Sequence, residues 1–281
     1  MDEMNQNKPE NFGTYSLPDF GQKLMKIAQG FPATWMGRRG ALAMRKIVSK
    51  LYKKDVIDAE VEGVRVRCHM NDNVSERKFL FTPQFFDVDE RKLISAELPR
   101  DGIFLDIGAN AGLYTLWASK HLGDDGKCIS IEPNPAVRRR LQENLALNGF
   151  TERVKIIPFG VSDAAGHFTL YLDEKNLGGS SIVKTHDKKS SAIDVKCYPL
   201  ADILNDCQID KLDILKIDIE GAEAKVLRPF FDTVDASLYP GHMIIENSQD
   251  VRESGLIDYL MADKGYRLVK TTRMNFILSK V

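Results

Sequence analysis

Four carboxylates stand where an apolar run gives way to a polar turn. They are Asp106 in Phe104-Leu-Asp106-Ile-Gly108-Ala-Asn110-Ala-Gly112, Glu132 in Ile131-Glu-Pro133-Asn134-Pro135, Asp218 in Leu215-Lys-Ile-Asp218-Ile-Glu220-Gly-Ala-Glu223, and Glu246 in Met243-Ile-Ile-Glu246-Asn247. Gly108 and Gly112 follow a strand-like run and open a helical pattern, where glycines permit a sharp turn and close approach to a ligand. About two dozen residues further on, Glu132 can accept both hydroxyls of a ribose. A dinucleotide would lay its pyrophosphate on such a turn, but Asn110 replaces the middle glycine of G-x-G-x-x-G. Asp106 would also repel a phosphate there. A ligand carrying a sulfonium and an ammonium, S-adenosylmethionine, suits a pocket lined by Asp106, Glu132 and Asp218. One acid at one strand end could simply cap the next helix, and a turn without a ligand is the plain alternative. Four acids toward one crevice favour the cation-rich ligand.

Such acids need a sheet whose strand ends meet. From residue 101 onward short apolar runs alternate with amphipathic stretches, the rhythm of a parallel sheet with crossover helices. Strands are predicted over Ile103–Ile107, Cys128–Ile131, Val154–Phe159, Leu212–Ile217 and Met243–Ile245. Helices are predicted over Ala111–Lys120, Pro135–Asn148, from Gly221 to Leu227 and over Val251–Lys264. Asn134 as N-cap, Pro135 in the first turn and Gly149 past the end mark the second of these. Phe168–Leu172 and Ile193–Tyr198 alternate at period two and form a candidate inserted hairpin, joined by a polar stretch from Asp173 to Ser191. Tyr266–Lys270 and Asn275–Ser279 read as a closing antiparallel pair.

The composition sets limits. The chain has 281 residues, 39 basic and 40 acidic, a formal charge of -1, with 43% apolar and 28% charged residues. This supports a sizeable core and excludes disorder as the main state. It also lacks the basic excess that gripping nucleic acid requires, so no nucleic-acid partner is expected. Met1 to Gly13 has no apolar core of a secretory signal, and no run of about 18 apolar residues occurs. Cys68, Cys128, Cys197 and Cys207 are scattered, which reads as free thiols in a reducing, cytoplasmic setting. Between Gly21 and Lys54 there are nine basic residues and no acidic one, with Leu42, Met44, Ile47 and Leu51 at helical spacing. This is a packed helical arm with a solvated basic face, or a peripheral contact to an acidic substrate or an anionic membrane through 21–54.

The motifs together resemble the FkbM-type S-adenosylmethionine-dependent methyltransferases. The resemblance runs from about Glu76 to the end. It is carried by Phe104–Thr115, by Ile131–Pro135 with its downstream L-x-x-N-L-A-L-N-G, and by the more distinctive Leu215–Glu223. Ala201 departs from the family's L-D-D segment. The resemblance implies a Rossmann-like class I methyltransferase sheet, α/β and mostly parallel with an antiparallel closing strand, over residues 76–281. Residues 1–75 form a partly helical, basic extension. It also implies a cofactor site of Asp106, Gly108, Asn110, Gly112, Thr115, Glu132, Pro133, Asn134 and Asp218, with Val161 and Ser162 bordering the adenine.

Methyl transfer is an in-line attack on an activated methyl, so the protein chiefly positions two partners and excludes water. A hydroxyl acceptor must lose a proton, for which Asp218, Glu220 and Glu246 are the candidate bases. His186 and His242 are weaker candidates, since each also reads as a surface or structural histidine. Asp218 with Glu246-Asn247 looks like the magnesium-holding set of catechol-type O-methyltransferases, although hydrogen-bonding roles explain the same residues. There is no Asn/Asp-Pro-Pro-aromatic motif and no Pro-Cys nucleophile, which leaves a small-molecule or glycan hydroxyl as the favoured acceptor. A dinucleotide oxidoreductase and a non-catalytic binding module are the alternatives.

Overall fold

The computed structural model describes residues 10–173 and 190–281. Most of the polar stretch between the inserted strands, with His186, lies outside the described residues, as does most of the acidic start.

The chain opens with α1 (Asp19–Gln29), α2 (Trp35–Tyr52), a hairpin of β1 (Val56–Val61) and β2 (Val64–His69), then α3 (Val74–Phe81) and α4 (Val88–Glu97). The hairpin turn places Glu62 at φ 49° and Gly63 at φ 80°. Both central residues are left-handed, which matches the twist of paired strands. On α2 the buried positions are Gly37, Ala41 and Val48, whereas Ile47 and Leu51 are exposed, contrary to the helical spacing expected from the sequence. At Gly37 a Cβ would stand 2.0 Å from the Pro32 carbonyl oxygen, so the connection before α2 leaves room only for glycine there.

The sheet that carries the site is built from β3 (Ile103–Ile107), β4 (Lys127–Ile131), β5 (Val154–Ile157), β9 (Ile214–Ile217), β10 (His242–Glu246), β11 (Tyr266–Thr271) and β12 (Asn275–Lys280). Its order is β11-β12-β10-β9-β3-β4-β5. The pairs among β5, β4, β3, β9 and β10 are parallel, and β12 closes antiparallel against β10 and β11. The chain moves outward from β3 to β5 and then returns to β9 on the other side of β3. That reversal opens a crevice at the carboxyl ends of β3 and β9, where open α/β sheets bind ligands. Between β5 and β9 come β6 (Gly160–Val161), β7 (Gly166–Asp173) and β8 (Ser190–Tyr198), a small sheet in which β7 and β8 pair antiparallel as the sequence predicts.

Alternation along β3 divides the core. Phe104 faces Leu116, Cys128 and Leu141, while Leu105 and Ile107 face Ile129, Leu215 and Val226. Helices α5 (Leu113–His121), α6 (Pro135–Asn148), α7 (Leu200–Asp206), α8 (Glu223–Thr233), α9 (Gln249–Glu253) and α10 (Leu256–Asp263) flank the sheet. Asn134 caps α6 by accepting from the Ala136 amide at 3.0 Å, and Gly149 ends it at φ 69°. Helix α8 starts at Glu223 rather than Gly221, whose φ of 101° is not helical. The single helix predicted over 251–264 is two, because Gly255 at φ 66° interrupts it.

Candidate active site

The turn from β3 into α5 is held by backbone geometry first. Gly108 lies at φ 75°, Asn110 at φ 54° and Gly112 at φ 86°. A Cβ on Gly108 would stand 2.0 Å from the Asp218 carbonyl oxygen, so this glycine lets the exit of β9 pass against the loop. The amides of Gly108 and Ala109 both donate to the Ile131 carbonyl at 3.0 Å. Glu132 accepts from the Asn110 amide at 2.9 Å and from the Asn134 amide at 2.8 Å. The proposed ribose acceptor therefore also clamps the glycine loop to the start of α6. Burial pushes its carboxyl up to about 7, against the pull of those two amides.

Beneath the loop runs a buried polar row. In the parallel register Asp106 lies beside Ser130 on one side and Lys216 on the other. Asp106 is wholly buried, accepts from the Thr115 hydroxyl at 2.7 Å and lies 3.7 Å from the Lys216 ammonium. Lys216 donates to the Gly108 carbonyl at 3.2 Å, lies 3.5 Å from Asp218 and stands over the Tyr114 ring at 5.2 Å. Burial alone would lower its pKa, but Asp218, Asp106, Asp87 and Glu246 hold it above the ordinary lysine value. Asp106 and Thr115 thus lie under the loop, and Lys216, which lines the cavity above it, is a position that the sequence does not single out.

Above the row is a cavity of about 170 Å³ whose wall includes Gly108, Asn110, Tyr114, Asp218, Glu220 and Glu246. Carboxylate oxygens of Asp218, Glu220 and Glu246 lie within 4.8 Å of one another. The strand ends at Ile217, so the pleat does not bring Asp218 and Glu220 together. Glu220 reaches the cavity from a left-handed turn at φ 56°. Glu223 fixes that turn by accepting from the Ile219 amide at 2.9 Å and the Gly221 amide at 3.1 Å. Burial first, then Asp218, Glu220 and Glu223, push the Glu246 carboxyl well above the usual carboxylate range. Its Oε2 is buried and meets no hydrogen-bond partner among the described residues.

The roof comes from the N-terminal part. Asn73 caps α3 by accepting from the Ser75 and Glu76 amides and donates to the Asn110 side chain at 2.7 Å. Arg140 of α6 holds the same end through Asp72 at 2.6 Å and Glu76 at 3.0 Å. Asp87 accepts from the Tyr114 hydroxyl at 2.9 Å. Glu90 accepts from Thr272 and Asn275, which brings Met274 to the cavity's lip.

Other candidates lie apart. Val161 and Ser162 are buried in the small sheet, where the Ser162 amide donates to the Tyr198 carbonyl, and they do not line the cavity. Neither do Glu132, Pro133 and Asn134. His242 begins β10, at the end away from Glu246, and shares a hydrogen bond with Ser279 at 2.8 Å.

Fold and site together define a class I methyltransferase architecture. The family profile described as the Methyltransferase FkbM domain matches residues 106–268, and the chain belongs to this family. It is 27% identical over 223 residues to Methyltransferase sdnD of Sordaria araneosa, covering 69% of this chain and 82% of that protein. It is 25% identical over 142 residues to Hexuronic acid methyltransferase AglP of Haloferax volcanii, covering 50% of this chain and 54% of that one. The solved structure of Methyltransferase FkbM from Methylobacillus flagellatus KT has 18% identity and a TM-score of 0.44, covering 74% of this chain and 55% of that chain.

Proposed function

We propose that this methyltransferase moves a methyl group from S-adenosylmethionine to a hydroxyl of a sugar, polyketide or other small metabolite. The observation that carries the reading is the carboxylate trio at the ends of β9 and β10. Asp218, Glu220 and Glu246 share a small cavity with Lys216 as the nearby cation, and Glu246 keeps an orphaned oxygen. Such a set fits a cationic ligand. S-adenosylmethionine, when bound, supplies a methyl group already activated by its sulfonium. The relative that acts on a hexuronic acid supports a hydroxylated acceptor.

The chain's own residues divide the remaining tasks. Glu132 and the Asn110 turn orient the donor, the α3 and α4 roof excludes water, and Glu220 or Glu246 takes the acceptor's proton. Glu246 holds a proton at neutral pH, and a cation against the trio lowers its pKa toward the range of a working base. A divalent ion would relieve the same repulsion, since three carboxylate oxygens suit a hard cation.

Calorimetric titration with S-adenosylmethionine, with NAD and with magnesium chloride separates these ligands. Binding of S-adenosylmethionine and not NAD is the expected result, and binding of NAD alone would overturn the reading. Glu220→Gln and Glu246→Gln are each expected to slow labelled-methyl transfer about 10²–10⁴-fold, with a smaller change in donor binding. Normal single-turnover rates in both variants would leave Asp218 as the candidate base.

A further inference from the structure

A second cavity, of about 790 Å³, lies between α2 and α3, on the other side of the roof from the carboxylates. Its wall carries Arg45 and Lys50 of α2, Lys53 and Lys54 just beyond that helix, and Arg77 and Lys78 of α3. Asp55 is the one acid on this wall among the described residues, and it already accepts from the Asn71 amide group at 2.5 Å. None of Arg45, Lys50, Lys53, Lys54, Arg77 and Lys78 makes an ion pair among the described residues. Burial and the nearby Arg77 charge hold the Arg45 guanidinium below its ordinary pKa, so like charges are crowded here without a counterion. Val74 and Lys78 line both this groove and the carboxylate cavity. The two spaces are neighbours, one cationic and one anionic, separated by a single turn of α3.

We infer that this groove is a binding site for the phosphate or carboxylate of an acidic, hydroxyl-bearing acceptor. The inference rests on the methyl-transfer reading for the role of the adjoining cavity. The donor carries its positive charge to the carboxylates, so an anion-binding groove serves the other reactant. An acceptor whose hydroxyl reaches Glu220 and Glu246 extends past Val74 and Lys78, and its anionic group then meets the Arg45–Lys50 wall. Charge-assisted hydrogen bonds from guanidinium and ammonium groups recognise phosphate and carboxylate alike. A membrane surface fits less well. The site is concave, and of the exposed apolar residues of α2 only Ile47 and Leu51 lie beside these cations, the larger Trp35 and Met36 being at the opposite end, about 20 Å from Lys50.

The test is calorimetric titration of the full chain with inorganic phosphate, with glucuronate, and with vesicles of phosphatidylcholine and phosphatidylglycerol. Saturable binding of phosphate, glucuronate or both is expected, weakening as salt rises. Arg45→Gln and Lys78→Gln should each weaken it about two- to fivefold, while Arg45→Lys retains it. The proposal is overturned if neither soluble anion binds saturably, if the glutamine variants bind like the parent, or if vesicles alone bind. S-adenosylmethionine is titrated into the same samples. Loss of donor binding with anion binding intact removes the methyl-donor reading alone. Donor binding without anion binding removes the groove alone.

Discussion

Lys216 is a charged side chain, 4% exposed, in a strand of four residues. An ammonium there is tolerable only because Asp106 and Asp218 flank it and the Gly108 carbonyl accepts from it. Removing one member of such a set leaves the other charge buried and unpaired, which typically costs about 3–5 kcal/mol. Lys216→Met is therefore expected to lose stability on that scale in urea denaturation. The double variant with Asp106→Asn should lose clearly less than the two single losses added, because the stranded carboxylate is gone. Strict additivity would show that the two groups do not act on each other. The acids of this site were readable from the sequence, since each follows an apolar run and precedes a polar turn. Lys216 was not, because only the register of β3 against β9 reveals that it and Asp106 are neighbours.

At the scale of elements, α3 is the piece that joins the N-terminal region to the glycine loop. Asn73 does two things there: its carboxamide oxygen caps α3 and its amide group donates to Asn110. A Ser at this position keeps a capping oxygen and lacks the reach to Asn110, whereas Ala loses both. Asn73→Ala should cost about 1 kcal/mol of stability through the lost cap. Asn73→Ser should unfold close to the parent temperature yet bind S-adenosylmethionine more weakly. Thermal melts paired with donor titration check this, and equal donor affinity in Asn73→Ser would remove the Asn110 contact from the binding machinery. The sequence disclosed the parallel strands, the Asn134–Gly149 helix and the closing antiparallel pair, all of which carry local signals. It did not disclose β1, β2 or the place of α3. The hairpin turn uses Glu62 where Asn or Asp would have announced it, and the packing of α3 depends on Arg140 from 64 residues away.

For the whole molecule, a net charge of -1 conceals a strong separation: carboxylates crowd one cavity and cations the next. The crowding couples folding to proton uptake, and binding of a cation to proton release. Burial raises Glu76 and Glu132 to about 7 and raises Glu246 further, each above the value near 4.5 of an unfolded glutamate. A folded state with raised carboxyl pKa values binds more protons than the unfolded chain. Its contribution to stability is full below about pH 4.5 and is lost as pH rises through 7 and beyond. Melting temperature is therefore expected to fall between about pH 5.5 and pH 8.5, and Glu246→Gln should flatten the upper part of that fall. Binding of a cationic ligand has the opposite sign. A sulfonium or ammonium beside Glu246 favours its ionised form, so S-adenosylmethionine binding near pH 7.5 should release a proton to the buffer. Titrations in two buffers of different ionisation enthalpy measure that release directly. S-adenosylhomocysteine, without the sulfonium charge, should release less, and Glu246→Gln should release less with either ligand. Equal release by both ligands and by the variant would mean that the donor's charge does not rest against the trio.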